Sequence, residues 1–154
     1  YTPTGGTPLP PLPHATYGAT ACVLNGRLYV MGGMFCNKLQ VLEMSEENEF
    51  TWTVKADLPA NRGDAASAVV DGKLWLIGGE VNGALEVDTS SVLIYDIDAD
   101  SWADGPALPR NVFGGSAAVL DGEICLVSHV GRYVLRNGAW AQETAPPTRR
   151  HTTP

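Results

Sequence analysis

Five arginines, Arg62, Arg110, Arg132, Arg149 and Arg150, fall in short polar stretches that also hold Asn61, Asp64, Glu80, Asn82, Asn111 and the three histidines His14, His129 and His151. A guanidinium group meets a carboxylate or phosphate through two parallel hydrogen bonds, so this set suits an anionic group or an acidic peptide. The competing expectation for any single member, Arg62 included, is that it braces neighbouring loops. Acid–base catalysis finds little support. No nucleophile stands beside an oriented base, and Asp64 and Glu80 do not by themselves make a working carboxylate pair. His14, His129 and His151 with Cys36 invite a metal, but they share no ligand spacing, so neither metal nor cofactor is expected. The candidate binding residues are therefore Arg62, Asp64, Glu80, Asn82, Arg110, Asn111, His129, Arg132 and Arg150, with no catalytic residue among them.

Whether these residues can act together depends on what positions them, and that is an internal repeat. Pro13, Pro59 and Pro109 are each followed thirteen residues later by a turn glycine, Gly26, Gly72 or Gly122. Next come Gly32-Gly33, Gly78-Gly79 and, in the third unit, Ser128-His129. Each unit closes on a tryptophan, Trp52, Trp102 or Trp140, with another proline seven residues beyond it at Pro59, Pro109 or Pro147. The intervals from Pro13 to Pro59, Pro59 to Pro109 and Pro109 to Pro147 are 46, 50 and 38 residues. A recurrence of this length marks a repeat architecture.

Asn25-Gly26, Asp71-Gly72 and Asp121-Gly122 each separate two apolar runs, which predicts a type I′ hairpin with positive φ at both central residues. The runs before the turns, 19–24, 65–70 and 115–120, are small residues ending in larger apolar ones. Those after, 28–31, 74–77 and 124–127, are continuously apolar. A third strand is expected at 39–44, 92–95 and 133–135, where β-branched and aromatic residues are dense. A fourth surrounds each tryptophan, reached through the polar turns 46–49, 98–100 and 136–138. Each unit is then a four-stranded antiparallel meander, and no helical periodicity of useful length appears.

Leu-Pro, a small-residue strand, an Asp-Gly turn, an apolar strand ending in Gly-Gly, then Tyr95-Asp96 and a tryptophan before the next Leu-Pro: this order resembles the kelch repeat, one blade of a β-propeller with a period of about 50 residues. The resemblance covers roughly residues 9 to 147. The second repeat fits best. The first has Met44-Ser45 near the place of Tyr-Asp, and the third replaces Gly-Gly and is shortened before Trp140. The expected organisation is a proline-rich lead-in over 1–13, blades over 14–59, 60–109 and 110–147, and the start of a further repeat or a tail over 148–154. The lead-in, 7–13, reads as an extended approach to blade one rather than as a ligand for an SH3-like domain. The tryptophans are expected to pack between blades.

Counting the repeats constrains the assembly. Closed propellers have 4 to 8 blades, each covered on both sides by neighbours, so three blades leave two apolar faces to be covered. Two expectations stand. Either the three blades are part of a larger propeller, with Arg150 following Pro147 as Arg62 follows Pro59, or two chains combine into a six-bladed ring.

The meander sorts its connections onto two ends. The Asn-Gly, Asp-Gly and acidic turns lie at one end; the lead-in loops and the segments after Gly-Gly lie at the other, bringing together the candidate residues above with His14, Thr16 and residues 35–38. The resemblance implies that this loop face carries the partner site of a protein-interaction module. The alternative it also implies is a propeller enzyme or sugar-binding protein, since copper oxidases and sugar mutarotases occur among kelch-like propellers. A net charge of −7 with ten Lys and Arg in total argues against a nucleic-acid surface. No apolar run approaches the roughly 18 residues of a membrane span. Three cysteines without CxxC spacing fit neither a disulfide framework nor a zinc site, and mildly favour an intracellular setting; Cys22 and Cys125 are expected to be buried small hydrophobes.

Overall fold

In the computed structural model the described residues are 8–81 and 87–143, and every regular element among them is a β-strand. In chain order these are β1 (Thr20–Leu24), β2 (Arg27–Met31), β3 (Leu39–Met44), β4 (Phe50–Val54), β5 (Arg62–Gly63), β6 (Ala66–Val70), β7 (Lys73–Ile77), β8 (Glu80–Val81), β9 (Val87–Asp88), β10 (Val92–Asp96), β11 (Ser101–Asp104), β12 (Ser116–Leu120), β13 (Glu123–Ser128), β14 (Gly131–Arg136) and β15 (Ala139–Glu143). They build three four-stranded antiparallel sheets: blade one from β1 to β4, blade two from β6, β7, β10 and β11, and blade three from β12 to β15. The expected propeller blades are thus present, one per repeat.

The hairpin turns have the expected geometry. Asn25 and Gly26 have φ of 51° and 72°, Asp71 and Gly72 of 50° and 71°, and Asp121 and Gly122 of 50° and 81°. Positive φ at both central residues gives the turn the twist of its flanking strands. The polar turn Asn137-Gly138 before Trp140 repeats it, at 49° and 77°.

β6 lies between β1 and β12, so the first strand of every blade faces the common axis. The small residues of these strands fit that crowding: Ala66 and Ala68 are buried, and Thr20 Oγ1 meets Ser67 Oγ at 2.7 Å between the first two blades. Strand alternation then sends each blade's two faces to different neighbours. Between blades one and two, Tyr29, Met31, Leu39 and Val41 pack against Leu74, Leu76, Leu93 and Tyr95. Between blades two and three, Ala66, Ala68, Ile77 and Val92 pack against Ile124, Leu126, Tyr133 and Trp140. Each fully buried large apolar side chain contributes on the order of 1.5–3 kcal/mol.

Each tryptophan makes the same latch. The indole Nε1 of Trp52 donates to Pro10 O at 2.8 Å, that of Trp102 to Ala56 O at 3.0 Å and that of Trp140 to Pro106 O at 2.8 Å. The acceptor is in every case the residue three before the leading proline, so the outer strand of a blade holds the segment that leads into it. Leu58 and Leu108, which precede Pro59 and Pro109, are buried.

The register corrects one alignment. Trp102 pairs with Tyr95, but Trp52 pairs with Leu42 rather than with a residue near Met44-Ser45. The Tyr-Asp position of repeat one is therefore Leu42-Glu43. The stretch between the paired residues, 43–51, is three residues longer than its counterpart 96–101 in blade two, which shifts the spacing to the tryptophan. The ion pairs agree: Arg27–Glu43 at 2.9 Å and Lys73–Asp96 at 2.8 Å occupy equivalent places, each beginning at the residue after the turn glycine. Blade three keeps the pair with its signs exchanged, Glu123–Arg136 at 2.9 Å.

Candidate functional site

The loop face is assembled from the lead-in segments and the β2–β3, β7–β10 and β13–β14 connections. It contains a small sheet not expected from the sequence. β5 pairs with β8, β8 with β9, and Gly33 bridges to Arg62, so the Gly-Gly segment of blade one, the lead-in to blade two and the β8–β9 hairpin form one hydrogen-bonded layer.

The Gly-Gly pairs are the joints of this face. Gly33 N donates to Arg62 O at 2.8 Å and Gly79 N to Val112 O at 2.7 Å, each passing from one blade to the lead-in of the next. Their φ values are 134° and 96°, and a Cβ would overlap Thr16 Oγ1 on Gly33 or crowd the Gly63 carbonyl on Gly79. Only glycine satisfies both the backbone and the close approach. Blade three has no such loop. Ser128 pairs with Gly131, leaving His129-Val130 as a two-residue turn, which accounts for the shortened third repeat.

Arg62 is buried rather than presented. It is 6% exposed, and its Nη1 donates to Gly78 O at 3.0 Å and more weakly to Ser91 O at 3.4 Å. Burial pulls its pKa below the ordinary arginine value, against the attraction of the Asp104 carboxylate. A guanidinium keeps its proton even so, and its charge is met here by carbonyl dipoles. Its Nε has no hydrogen-bond partner among the described residues. Arg62 thus braces the β7–β10 connection from within.

Other candidates are similarly committed. Thr16 Oγ1 donates to Gly32 O at 2.6 Å, Asn37 Nδ2 to Leu58 O at 3.3 Å, and Lys38 pairs with Asp57 at 2.6 Å. Buried Gln40 accepts from His14 N at 2.8 Å and donates to His14 O at 2.9 Å. Glu80 is buried within β8, opposite Gly63 and Asp88. Arg132 stands in β14 opposite Val127 and Glu143, on the sheet face turned away from blade two. Asn82, Arg149, Arg150 and His151 lie outside the described residues.

Asp64, Arg110, Asn111 and His129 are exposed, with His129 against the ring of Phe113 at a centroid distance of 4.7 Å. Two aromatics join them. Tyr17 is 75% and Phe35 76% exposed, and with Ala15, Thr16 and Cys36 they line a hollow of about 260 Å³. Tyr17 was not among the sequence candidates. Its signal was an aromatic four residues after Pro13, where blade two has Gly63 and blade three Phe113. A larger hollow, about 400 Å³, lies near the Asp71 turn on blade two and carries the Lys73–Asp96 ion pair.

The cysteines are free: Cys36 is buried, Cys22 and Cys125 half-buried. Burial pushes the Cys22 thiol up to about 11, so it is protonated at neutral pH. Among the described residues no three His, Cys, Asp or Glu side chains are grouped so as to hold a metal ion.

The comparisons agree with this architecture. A family model described as the Kelch motif matches residues 61–109. Human Kelch-like protein 33 is 31% identical over 124 residues, 78% of this chain and 23% of that protein. F-box protein AFR of Arabidopsis thaliana is 30% identical over 126 residues, 77% of this chain and 33% of that protein. The chain therefore spans a third or less of the length of these relatives. The solved structure of YjhT superposes with a TM-score of 0.78 at 16% identity, covering 91% of this chain and 54% of that one. A fungal alcohol oxidase solved in complex with copper has a TM-score of 0.63 at 18% identity, over 73% of this chain and 27% of the other. At these identities the structures speak to fold alone.

Proposed function

We propose, from the premise that this chain belongs to the kelch-repeat family, that it is a protein-interaction module whose loop face binds a peptide carrying an acidic group beside a bulky apolar residue. The observation that carries this is the hollow flanked by Tyr17 and Phe35. Most polar groups around it are used internally, whereas two aromatic rings stand in water where they stabilise nothing in the chain. Rigid exposed aromatics with a recess between them are what binding hot spots are made of. Arg110 and Asn111 on the same end supply exposed groups for a carboxylate, while Arg62 acts through the loop it holds. The lining of the hollow holds no carboxylate, histidine or lysine among the described residues, which favours binding over acid–base chemistry.

Selecting a random-peptide display library on the 154-residue chain tests this. Enriched peptides should pair Asp or Glu with a large apolar residue, and capture should weaken as salt is raised. Tyr17→Ser with Phe35→Ser should lower capture at least about tenfold, the order of one lost anchor. Enrichment indifferent to these substitutions and to Arg110→Glu would overturn the assignment to this face.

A further inference from the structure

The junction between blades two and three is not sealed like that between blades one and two, although the repeat supplies the same positions to both. Tyr29 and Val41 pair across blade one and are buried against blade two. Their equivalents Trp75 and Ile94, paired in the same way across blade two, are half-buried, and Ala103 opposite Ile94 is exposed. Strand alternation puts all three on the sheet face turned to blade three, where Trp75 borders the apolar cluster. The outer part of that face opens into the hollow of about 400 Å³.

Blade three is cut short at the place that would fill this hollow. Blade two covers blade one with Tyr95, whose hydroxyl is held by Asp100, and with Ile97 from the turn 97–100. Blade three has Leu135 at the place of Tyr95, and the two-residue turn Asn137-Gly138 at the place of 97–100. The recess therefore follows from the shortening of the third repeat, between two blades that both belong to this chain.

Charge at the rim selects the occupant. Lys73 is paired with Asp96 at 2.8 Å, and the other oxygen of Asp96 accepts from the amides of Asp98 and Ala99. Asp71, exposed in the hairpin turn, lines the same hollow and has no ion-pair partner among the described residues. With Asp98 beside them, three carboxylates stand against one ammonium. We propose that this recess is a second binding site, taking an arginine side chain of a protein partner, its stem against Ile94 and the indole of Trp75 and its guanidinium at the Asp71 carboxylate. A guanidinium is planar and less strongly hydrated than an ammonium, so it leaves water more readily for an indole, and its three-carbon stem suits an apolar wall. Trp75 is free for this role. The indole N–H groups of Trp52, Trp102 and Trp140 are spent on carbonyls, whereas that of Trp75 has no acceptor among the described residues. The site lies at the hairpin-turn end of the blades and does not depend on what binds the loop face.

The probe is the capped tripeptide acetyl-Gly-Arg-Gly-amide, titrated into the nitrogen-15-labelled 154-residue chain, and the readout is the indole signal that disappears in Trp75→Phe. That signal should shift with a dissociation constant in the millimolar range, as for one anchored side chain, while the other three indole signals stay in place. The citrulline peptide, of the same shape without the charge, should leave it unmoved. Asp71→Asn should weaken binding about threefold, the order of one exposed charge pair, and it keeps the turn because Asn25 takes positive φ at the same position in blade one. Ala103→Tyr, at an exposed position of β11, should fill the hollow and weaken binding at least about tenfold with an unchanged circular dichroism spectrum. An unmoved Trp75 signal overturns the proposal, and so does an equal shift with the citrulline peptide. Binding indifferent to both substitutions places the arginine elsewhere on the acidic surface and overturns it as well.

Discussion

The indole of Trp102 in blade two donates to the carbonyl of Ala56 at the end of blade one, 3.0 Å away. A large outer-strand side chain thereby covers the core between blades and satisfies a carbonyl of the linker that must cross its edge. The same bond, at the same repeat position, is made by Trp52 and Trp140. Trp102 also leans on Tyr95, with ring centroids 5.1 Å apart.

Removing the donor while keeping an aromatic ring isolates the bond. Trp102→Phe leaves the Ala56 carbonyl without its partner and should destabilise the chain by about 1–3 kcal/mol. A lower urea midpoint at unchanged slope is the expected signature. An unmoved midpoint would mean that water takes the place of the indole N–H.

Arg62 and Arg110 should separate structure from binding. Arg62→Met strands the Gly78 carbonyl, while Ser91 O keeps its bond from Gly78 N, and should cost about 1.5–3 kcal/mol, as for a hydrogen bond to a charged donor. Arg110→Ala, at an exposed position, should change stability by no more than about 0.5 kcal/mol. Thermal melts of the two variants decide it, and equal melting temperatures would contradict the brace.

Acid should loosen the joint between blades one and two. Asp100 accepts from Tyr95 Oη at 2.6 Å and from Ala56 N at 2.8 Å. These bonds, the tyrosine hydroxyl first, hold its pKa below the ordinary 3.8. A depressed carboxylate contributes stability above its unfolded pKa and loses it as pH falls through the folded one. The stability difference between wild type and Asp100→Asn should therefore be constant near neutrality and shrink below about pH 4. A difference that persists at pH 2 in urea titrations would assign the effect to packing.

The ion pair with exchanged signs in blade three implies that the position demands complementarity rather than polarity. In the equivalent pair of blade one, Arg27→Glu should be destabilising beside Glu43, and adding Glu43→Arg should bring the urea midpoint most of the way back. A double variant no better than the single would show that Arg27 acts through its stem rather than its charge.

Glycines, prolines and tryptophans made the blade legible from sequence because each answers a local demand. Asp71-Gly72 must turn with positive φ, and Leu74 to Ile77 must be buried on both faces whatever surrounds them. The alignment of Met44-Ser45 failed because turn length, not chain spacing, sets which residue faces Trp52. The β8–β9 hairpin escaped notice because two-residue strands leave no periodicity to read. Tyr17 was passed over because an aromatic in a loop looks the same in sequence whether it packs or projects.

Sequence by itself determined the repeat and the strand order within each blade, since hydrophobic alternation and turn chemistry act over a few residues. Only the tertiary structure decided that Arg62 points inward to carbonyls, that Tyr17 and Phe35 frame a hollow, and that the Gly33 and Gly79 amides bond the lead-in of the next blade. Those outcomes depend on how whole blades stack around an axis, where residues distant in the chain compete for the same space.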